Sequence, residues 1–126
     1  MNRRSLLLLS AGALASTALA PGGRITPAHV RSLHDAEQTL YNADLRNGSA
    51  HLRSQAAHAL NAAHTWPQTS AYSEETGRQL HLATGQLSVA AGWLAHDSGL
   101  PGKARSLYTE ALANARMALL AHATDG

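Results

Sequence analysis

Two stretches of helical periodicity, separated by one short turn, place the strongest limit on what this chain folds into. Apolar residues recur every three or four positions in Leu80–Leu94 and again in Ala104–Leu120. That spacing is typical of one face of an α-helix. Between the stretches lies Gly99-Leu100-Pro101-Gly102, which is typical of a turn. The second half of the chain is therefore predicted to form a helical hairpin.

Helix start and stop signals divide the preceding region into two further helices. Thr26-Pro27 combines an N-cap residue with proline at the first helical position. Asn47-Gly48 is a stop signal. A second helix is predicted over residues 49–64, ending at Trp66-Pro67.

The same signals bound the two helices of the hairpin. Ser73 is predicted to cap a third helix that reaches Asp97, either unbroken or divided near Thr84-Gly85. The fourth helix is predicted from about Pro101 to His122.

Composition agrees with a wholly helical fold. The 126 residues include 26 Ala and 20 Leu, but no Phe, two Val and one Ile. Ala and Leu favour helices, whereas β-branched and aromatic residues favour strands. The predicted class is all-α, an array of about four to five helices in antiparallel hairpins. The absence of Cys excludes disulfides, thiolate zinc sites and thiol catalysis.

The first twenty residues differ from the rest and fit two interpretations. Arg3 and Arg4 precede the apolar run Leu6–Leu9, and Ala- and Leu-rich sequence continues to Ala20. This order is typical of a signal peptide, and the paired arginines resemble the twin-arginine export motif. Cleavage would follow Ala20 or, less regularly, Ala15. The alternative is an apolar connector or a first helix.

A breaker separates this segment from the body of the chain. Pro21-Gly22-Gly23 divides residues 1–20 from a helical domain predicted over residues 21–126. The apolar part of residues 1–20 is interrupted by polar residues and is short of the roughly 20 apolar residues that a membrane span needs. No stable membrane span is therefore expected.

The charge distribution argues against nucleic acid as a direct partner. The net charge of +2 comes from Arg3 and Arg4, whereas residues 21–126 contain eight basic and eight acidic side chains. A nucleic-acid module needs a basic face to displace phosphate counterions. We therefore expect no direct nucleic-acid binding by this chain.

No pattern of reactive side chains predicts an enzyme. The eight histidines include no pair at the i, i+4 spacing of a helical zinc site, and no His-Glu-x-x-His sequence occurs. His51 and His58 are seven positions apart, about 10 Å along a helix, too far to share a metal. We expect no catalytic residue, cofactor or metal, and predict that the protein is not an enzyme.

The hairpin has the length and landmarks of one tetratricopeptide repeat, a helix–turn–helix unit of 34 residues. The segment is Gly85–Ala118, and an ordinary Ala-rich helical hairpin is the alternative. In the repeat interpretation, small residues let the two helices approach closely, while Trp93 and Tyr108 pack in the core. The repeat positions are Gly92, Trp93, Gly99, Ala104, Tyr108 and Ala111.

A wider resemblance rests on three blocks, Tyr72–His81, Ala91–Gly99 and Ala104–Leu112, and on the opening residues 22–28. These resemble the tetratricopeptide-like C-terminal half of actinomycete Xre-type helix-turn-helix transcriptional regulators. The resemblance spans most of residues 3–118. It implies that the Arg-Arg segment is a connector within a cytoplasmic protein. No DNA-binding helix-turn-helix domain occurs in this sequence, so DNA binding is not carried over.

The repeat and the resemblance together predict a protein-interaction or oligomerisation module. A helix or extended peptide of a partner, or a second copy of the chain, would dock against the helical hairpins. A cytoplasmic location is expected, and a small helical protein exported by the twin-arginine route is the alternative. The residues expected to hold the hairpin together are Leu87, Trp93, Tyr108 and Leu112, and those expected to meet the partner are Arg78, Arg105 and Glu110.

Overall fold

The chain folds as four α-helices in a computed structural model that describes residues 23–43 and 49–125, with the side chains of residue 69 and of residues 121–125 excepted. The connector or signal-like segment with Arg3 and Arg4, and the stop signal Asn47-Gly48, lie outside the described residues. The helices are α1 (Pro27–Tyr41), α2 (Ser49–Thr69), α3 (Glu74–Asp97) and α4 (Pro101–Asp125). The prediction of an all-α helical array is confirmed.

Local capping explains where two of the helices begin. Thr26 is the N-cap of α1, and Pro27 is the first residue of the helix. The Thr26 backbone N–H donates a hydrogen bond to Nδ1 of His29 at 3.0 Å. Ser73 caps α3 by accepting a hydrogen bond from the Thr76 backbone N–H at 3.1 Å. Both starts match the sequence prediction, but His29 fills a capping role usually held by Glu or Gln.

The predicted end of α2 at Trp66-Pro67 is wrong, because the helix continues to Thr69. Proline removes one backbone donor and crowds the preceding turn. Here the penalty falls close to the C-terminal end of the helix. Trp66 is buried and packs edge-to-face on His29, with ring centroids 5.0 Å apart. Burial of that large ring holds the last turn in place.

Helix α3 is continuous and lies at the centre of the molecule, where it packs against each of the other three helices. Gly85 therefore does not break the helix. Helices α1 and α3 run parallel: Pro27 and Gln79 line the same cleft at one end, and Tyr41 contacts Trp93 at the other. Helix α4 returns antiparallel along α3 after the turn at Gly99, whose φ is +79°.

The core is built mainly from Leu and Ala, with α3 contributing most of it. Leu33, Leu80, Leu87 and Leu94 are almost completely buried. Ser88 is also fully buried, and its hydroxyl donates to the Leu107 carbonyl of α4 at 2.7 Å. This bond satisfies the hydroxyl inside the seam between the two helices.

The expectation that Trp93, Tyr108 and Leu112 lie in the hairpin core is wrong. Trp93 and Tyr108 are each 41% exposed and Leu112 is 52% exposed, although Leu87 is buried as expected. Glycine, serine and alanine line the seam and bring α3 and α4 together. The short distance between the two helices leaves no room for a tryptophan side chain, so the rings of Trp93 and Tyr108 lie at the edge of the seam.

Backbone hydrogen bonds attach the segment before α1 to the loop after α2. The Ile25 N–H donates to the Ala71 carbonyl at 2.8 Å, and the Ala71 N–H donates to the Gly23 carbonyl at 3.1 Å. The Ile25 side chain is buried beneath this contact. In the described part of the chain, no helix is long and apolar enough to cross a membrane.

Candidate functional site

Large apolar side chains remain exposed along one side of α3. Leu82, Val89 and Trp93 are spaced by seven and four residues, so they lie on one face of the helix. Buried leucines occupy the opposite face. Helices α1 and α4 border this exposed face on either side and add further apolar side chains. We call the whole surface the apolar face, and it consists of Tyr41, Leu82, Val89, Trp93, Tyr108 and Leu112.

Three aromatic residues from three different helices lie at one end of the apolar face. The rings of Tyr41 and Trp93 have centroids 6.3 Å apart and planes inclined by 49°. Tyr108 reaches across from α4 and lies directly over the backbone of Gly92. We call these three residues, Tyr41, Trp93 and Tyr108, the aromatic cluster. Each keeps more than a third of its surface accessible, so the cluster can contact a ligand.

The missing side chain of Gly92 makes room for Tyr108. A Cβ atom at position 92 would lie 2.5 Å from Cε1 and 2.8 Å from Cδ1 of the Tyr108 ring. Both distances are far below van der Waals contact. Gly92 therefore fixes where the ring of Tyr108 lies, over the residue that precedes Trp93.

The electrostatic environment of the aromatic cluster is set by Tyr41 and its neighbours. Burial, followed by the charge of Glu37 and the proximity of Tyr108, raises the pKa of Tyr41 above its usual value near 10. Glu37 lies one helical turn before Tyr41 on α1, where side chains are neighbours. The phenol of Tyr41 therefore stays neutral through the physiological pH range.

Two shallow clefts flank α3. One, of about 380 Å³, runs between α1 and α3 beside Leu82 and is lined by the mixed polar side chains Arg31, His34, Gln79 and Gln86. The other, of about 100 Å³, lies between α2 and α4 over Ala91 and Ala95. Its rim carries Arg53, His64, Lys103 and Glu110. The first cleft continues the apolar face toward the start of α1, whereas the second lies on another side of α3.

The other repeat positions lie in the seam or at the turn. Ala104 and Ala111 are buried against α3, and the Ala111 carbonyl approaches the position of a Cβ on Gly85 at 3.3 Å. Gly99 forms the turn between α3 and α4. These residues have structural positions and offer no reactive group to a ligand.

The three polar residues expected to meet a partner are not brought together. Arg78 pairs with Glu75 on the same helix, with 2.6 Å between guanidinium and carboxylate. Glu110 belongs to the rim of the α2–α4 cleft. Arg105 is exposed on α4 near the aromatic cluster.

The histidines are distributed over the helices and form no metal site in the described part of the chain. There, no group of three or more His, Cys, Asp or Glu side chains is close enough to hold a metal ion. His29 is the buried exception and belongs to the α1 cap and the Trp66 contact.

Sequence reasoning missed the participation of Tyr41 in the candidate site. Tyr41 occupies the last position of α1, and α1 lies far from α4 in sequence. The available signal was the helical spacing of Val30, Leu33, Leu40 and Tyr41, which places Tyr41 on the same face of the first helix as these apolar residues. That spacing did not reveal that the two parallel helices α1 and α3 place Tyr41 beside Trp93.

Comparison with known proteins found no match to this chain. No protein family, no curated protein and no solved structure matches the chain.

Proposed function

We propose that the protein is a non-enzymatic interaction module that binds a partner protein, or a second copy of itself, through the apolar face. The observation that supports this most directly is the exposure of six large apolar side chains on adjacent surfaces of α1, α3 and α4. Isolated apolar residues are normal on protein surfaces, but contiguous groups mark interaction sites. Aromatic residues are also enriched where interfaces are buried most deeply.

The shape of the surface suits a helix or an extended segment. Helix α3 forms the base of this surface, and α1 and α4 both pack against it. A helix of the partner could place apolar residues at i, i+4 and i+7 against Leu82, Val89 and Trp93. The tetratricopeptide-like character of the sequence supports the same mode of binding.

Site-specific photocrosslinking tests this proposal. A photoreactive amino acid at position 93 or 112 is expected to crosslink one partner, or a second copy of the chain, in cells that express the protein. Leu100 is a matched control, since it is similarly exposed but lies in the turn between α3 and α4. Equal crosslinking from position 100 would contradict a specific apolar face.

The resemblance to the regulatory half of transcriptional regulators supports a role in signal reception or oligomerisation, in a cytoplasmic location. Export by the twin-arginine route is the alternative, because of Arg3 and Arg4. Fractionation of the tagged full-length chain, followed by N-terminal sequencing, separates the two. An exported fraction trimmed after Ala15 or Ala20 would overturn the cytoplasmic assignment.

A further inference from the structure

The aromatic cluster has the composition of a site for a positively charged group. Tyr41, Trp93 and Tyr108 are each partly open to solvent. The rings of Tyr41 and Trp93 have centroids 6.3 Å apart, and the ring of Tyr108 lies over Gly92, the residue before Trp93. Ring faces carry negative electrostatic potential and attract ammonium and guanidinium groups within about 6 Å of the ring centroid. Tryptophan and tyrosine are the strongest aromatic partners for such a cation.

Acidic residues lie at helical spacing from two of the three rings. Glu37 precedes Tyr41 by four residues on α1, and Asp97 follows Trp93 by four residues on α3. Side chains at this spacing are neighbours on a helix surface. The two negative charges, together with the ring faces, favour a cation over a neutral or acidic ligand.

Two basic side chains lie at helical spacing from residues of the cluster. Arg105 precedes Tyr108 by three residues, and His96 follows Trp93 by three residues. Arg105 is permanently charged, so its positive charge disfavours the binding of a cation to the cluster. Its removal therefore provides an electrostatic test that is independent of the rings themselves.

We infer that the aromatic cluster binds a lysine or arginine side chain of the partner protein, while the rest of the apolar face binds neighbouring apolar residues. This inference rests on the proposed function and specifies the chemistry of the partner. The ring faces would hold the charged end of the side chain. Glu37 and Asp97 would supply the complementary charge.

A peptide series that differs at one position tests the inference on the full-length chain. The probes are acetylated peptides of the form Leu-Ala-X-Ala-Leu, with X lysine, arginine, norleucine or glutamate. Binding is measured by NMR from the indole N–H signal of Trp93, which is assigned by its loss in Trp93→Phe. The signal of buried Trp66 serves as the internal reference. We expect the lysine and arginine peptides to bind at least roughly threefold more tightly than norleucine, and glutamate to bind most weakly.

Variants of the chain separate charge from general apolar contact. Glu37→Gln is expected to weaken binding of the lysine peptide, and Arg105→Gln to strengthen it. Tyr41→Ala is expected to abolish the preference for lysine over norleucine. Tyr72→Ala is the matched control, because Tyr72 is 40% exposed against 47% for Tyr41 but packs on Gly77, away from the cluster.

The outcomes distinguish this inference from the proposed function. If norleucine binds as tightly as lysine, or if no peptide shifts the Trp93 signal, the inference is wrong. The proposed function fails separately, when photocrosslinking from positions 93 and 112 yields no specific partner. Specific crosslinking without a preference for the cationic peptides would support the interaction module and contradict only the inference of a charged ligand.

Discussion

Gly92 and Tyr108 form a pair in which the absence of one side chain determines the position of the other. Replacing glycine by alanine inside a helix ordinarily stabilises it by about 1 kcal/mol. In Gly92→Ala, however, the new methyl group would collide with the Tyr108 ring. We expect this gain in stability to be largely cancelled when Tyr108 is present and to be recovered in a chain that carries Tyr108→Ala.

A double-mutant cycle measures this coupling by urea unfolding of Gly92→Ala, Tyr108→Ala and the double variant. We expect a coupling free energy of about 1 kcal/mol. Additive effects of the two substitutions would mean that the ring does not rest on Gly92.

The two tryptophans should respond differently to truncation. Trp66 is buried against His29, so Trp66→Ala is expected to lower the free energy of unfolding by about 3–5 kcal/mol. Trp93→Ala should cost much less, because the ring is half-exposed and water already contacts it. Thermal melting followed by circular dichroism compares the two variants. A larger loss at Trp93 would contradict its surface position.

Tyr41 should ionise above the usual pH range of a tyrosine side chain. Its pKa is raised by burial first, then by Glu37 and Tyr108. Ultraviolet titration should show one high-pH transition that disappears in Tyr41→Phe and moves to lower pH in Glu37→Gln.

The sign of the effect on stability follows from the raised pKa of Tyr41 in the folded state. The neutral phenol stabilises the fold fully below the unfolded-state pKa, near 10, and this contribution is lost as the pH rises through the higher folded-state value. Tyr41→Phe should therefore lose less stability than the wild-type chain above about pH 10. A Glu37→Gln variant with an unchanged tyrosine titration would count against this assignment.

The seam between α3 and α4 depends on small residues facing each other. At Gly85, a Cβ would lie 3.3 Å from the Ala111 carbonyl oxygen and 3.3 Å from Cβ of Asn114. The larger side chain of Gly85→Leu would push the two helices apart. We expect a loss of about 1–3 kcal/mol, as for other overpacked cores, measured by chemical denaturation.

Gly102 provides the matched control for that substitution. It lies in the first turn of α4, and a Cβ there would meet nothing within 4 Å. Gly102→Leu should therefore be neutral or should stabilise the helix by up to about 1 kcal/mol. Equal destabilisation by both variants would indicate a general intolerance of leucine and not a tight seam.

At the scale of the whole molecule, α4 contacts mainly one other helix within the part of the chain that the structure describes. It packs mainly on α3, and Leu119 and Leu120 are 69% and 64% exposed. Because a small domain buries only a modest fraction of its surface, apolar side chains left in water reduce its stability. We expect residues 21–126 to form a homodimer, or to bind a partner, through the faces of α3 and α4.

Sedimentation equilibrium at micromolar concentration measures self-association directly. Leu112→Arg should shift the equilibrium toward the monomer, because it places a charge in the apolar face. A wild-type chain that is monomeric and also melts cooperatively would contradict the homodimer.

The chain should not bind DNA specifically on its own. Residues 21–126 have equal numbers of basic and acidic side chains, and therefore no excess of positive charge to displace phosphate counterions. An electrophoretic mobility assay over a range of salt concentrations tests this. A sequence-specific shift that weakens with salt would refute it.

The all-α class and the residues at which the helices begin could be predicted from the sequence, because these depend on local chemistry. Two N-cap residues, Thr26 and Ser73, contact only the first turn of their own helices. Gly99 likewise forms the turn in which it lies. The 3.6-residue period likewise identifies which side chains share a face. The extension of α2 past Pro67 escaped prediction, since burial of Trp66 acts at long range.

Which apolar faces are buried and which remain accessible depends on how the helices pack against one another. Periodicity places Leu87 and Trp93 on α3 but does not state how closely another helix approaches either one. The small residues of the seam bring α4 so near that leucine is enclosed and tryptophan is left at its edge. The aromatic cluster arises the same way, because Tyr41 reaches Trp93 through the parallel packing of α1 on α3, a contact between residues far apart in sequence.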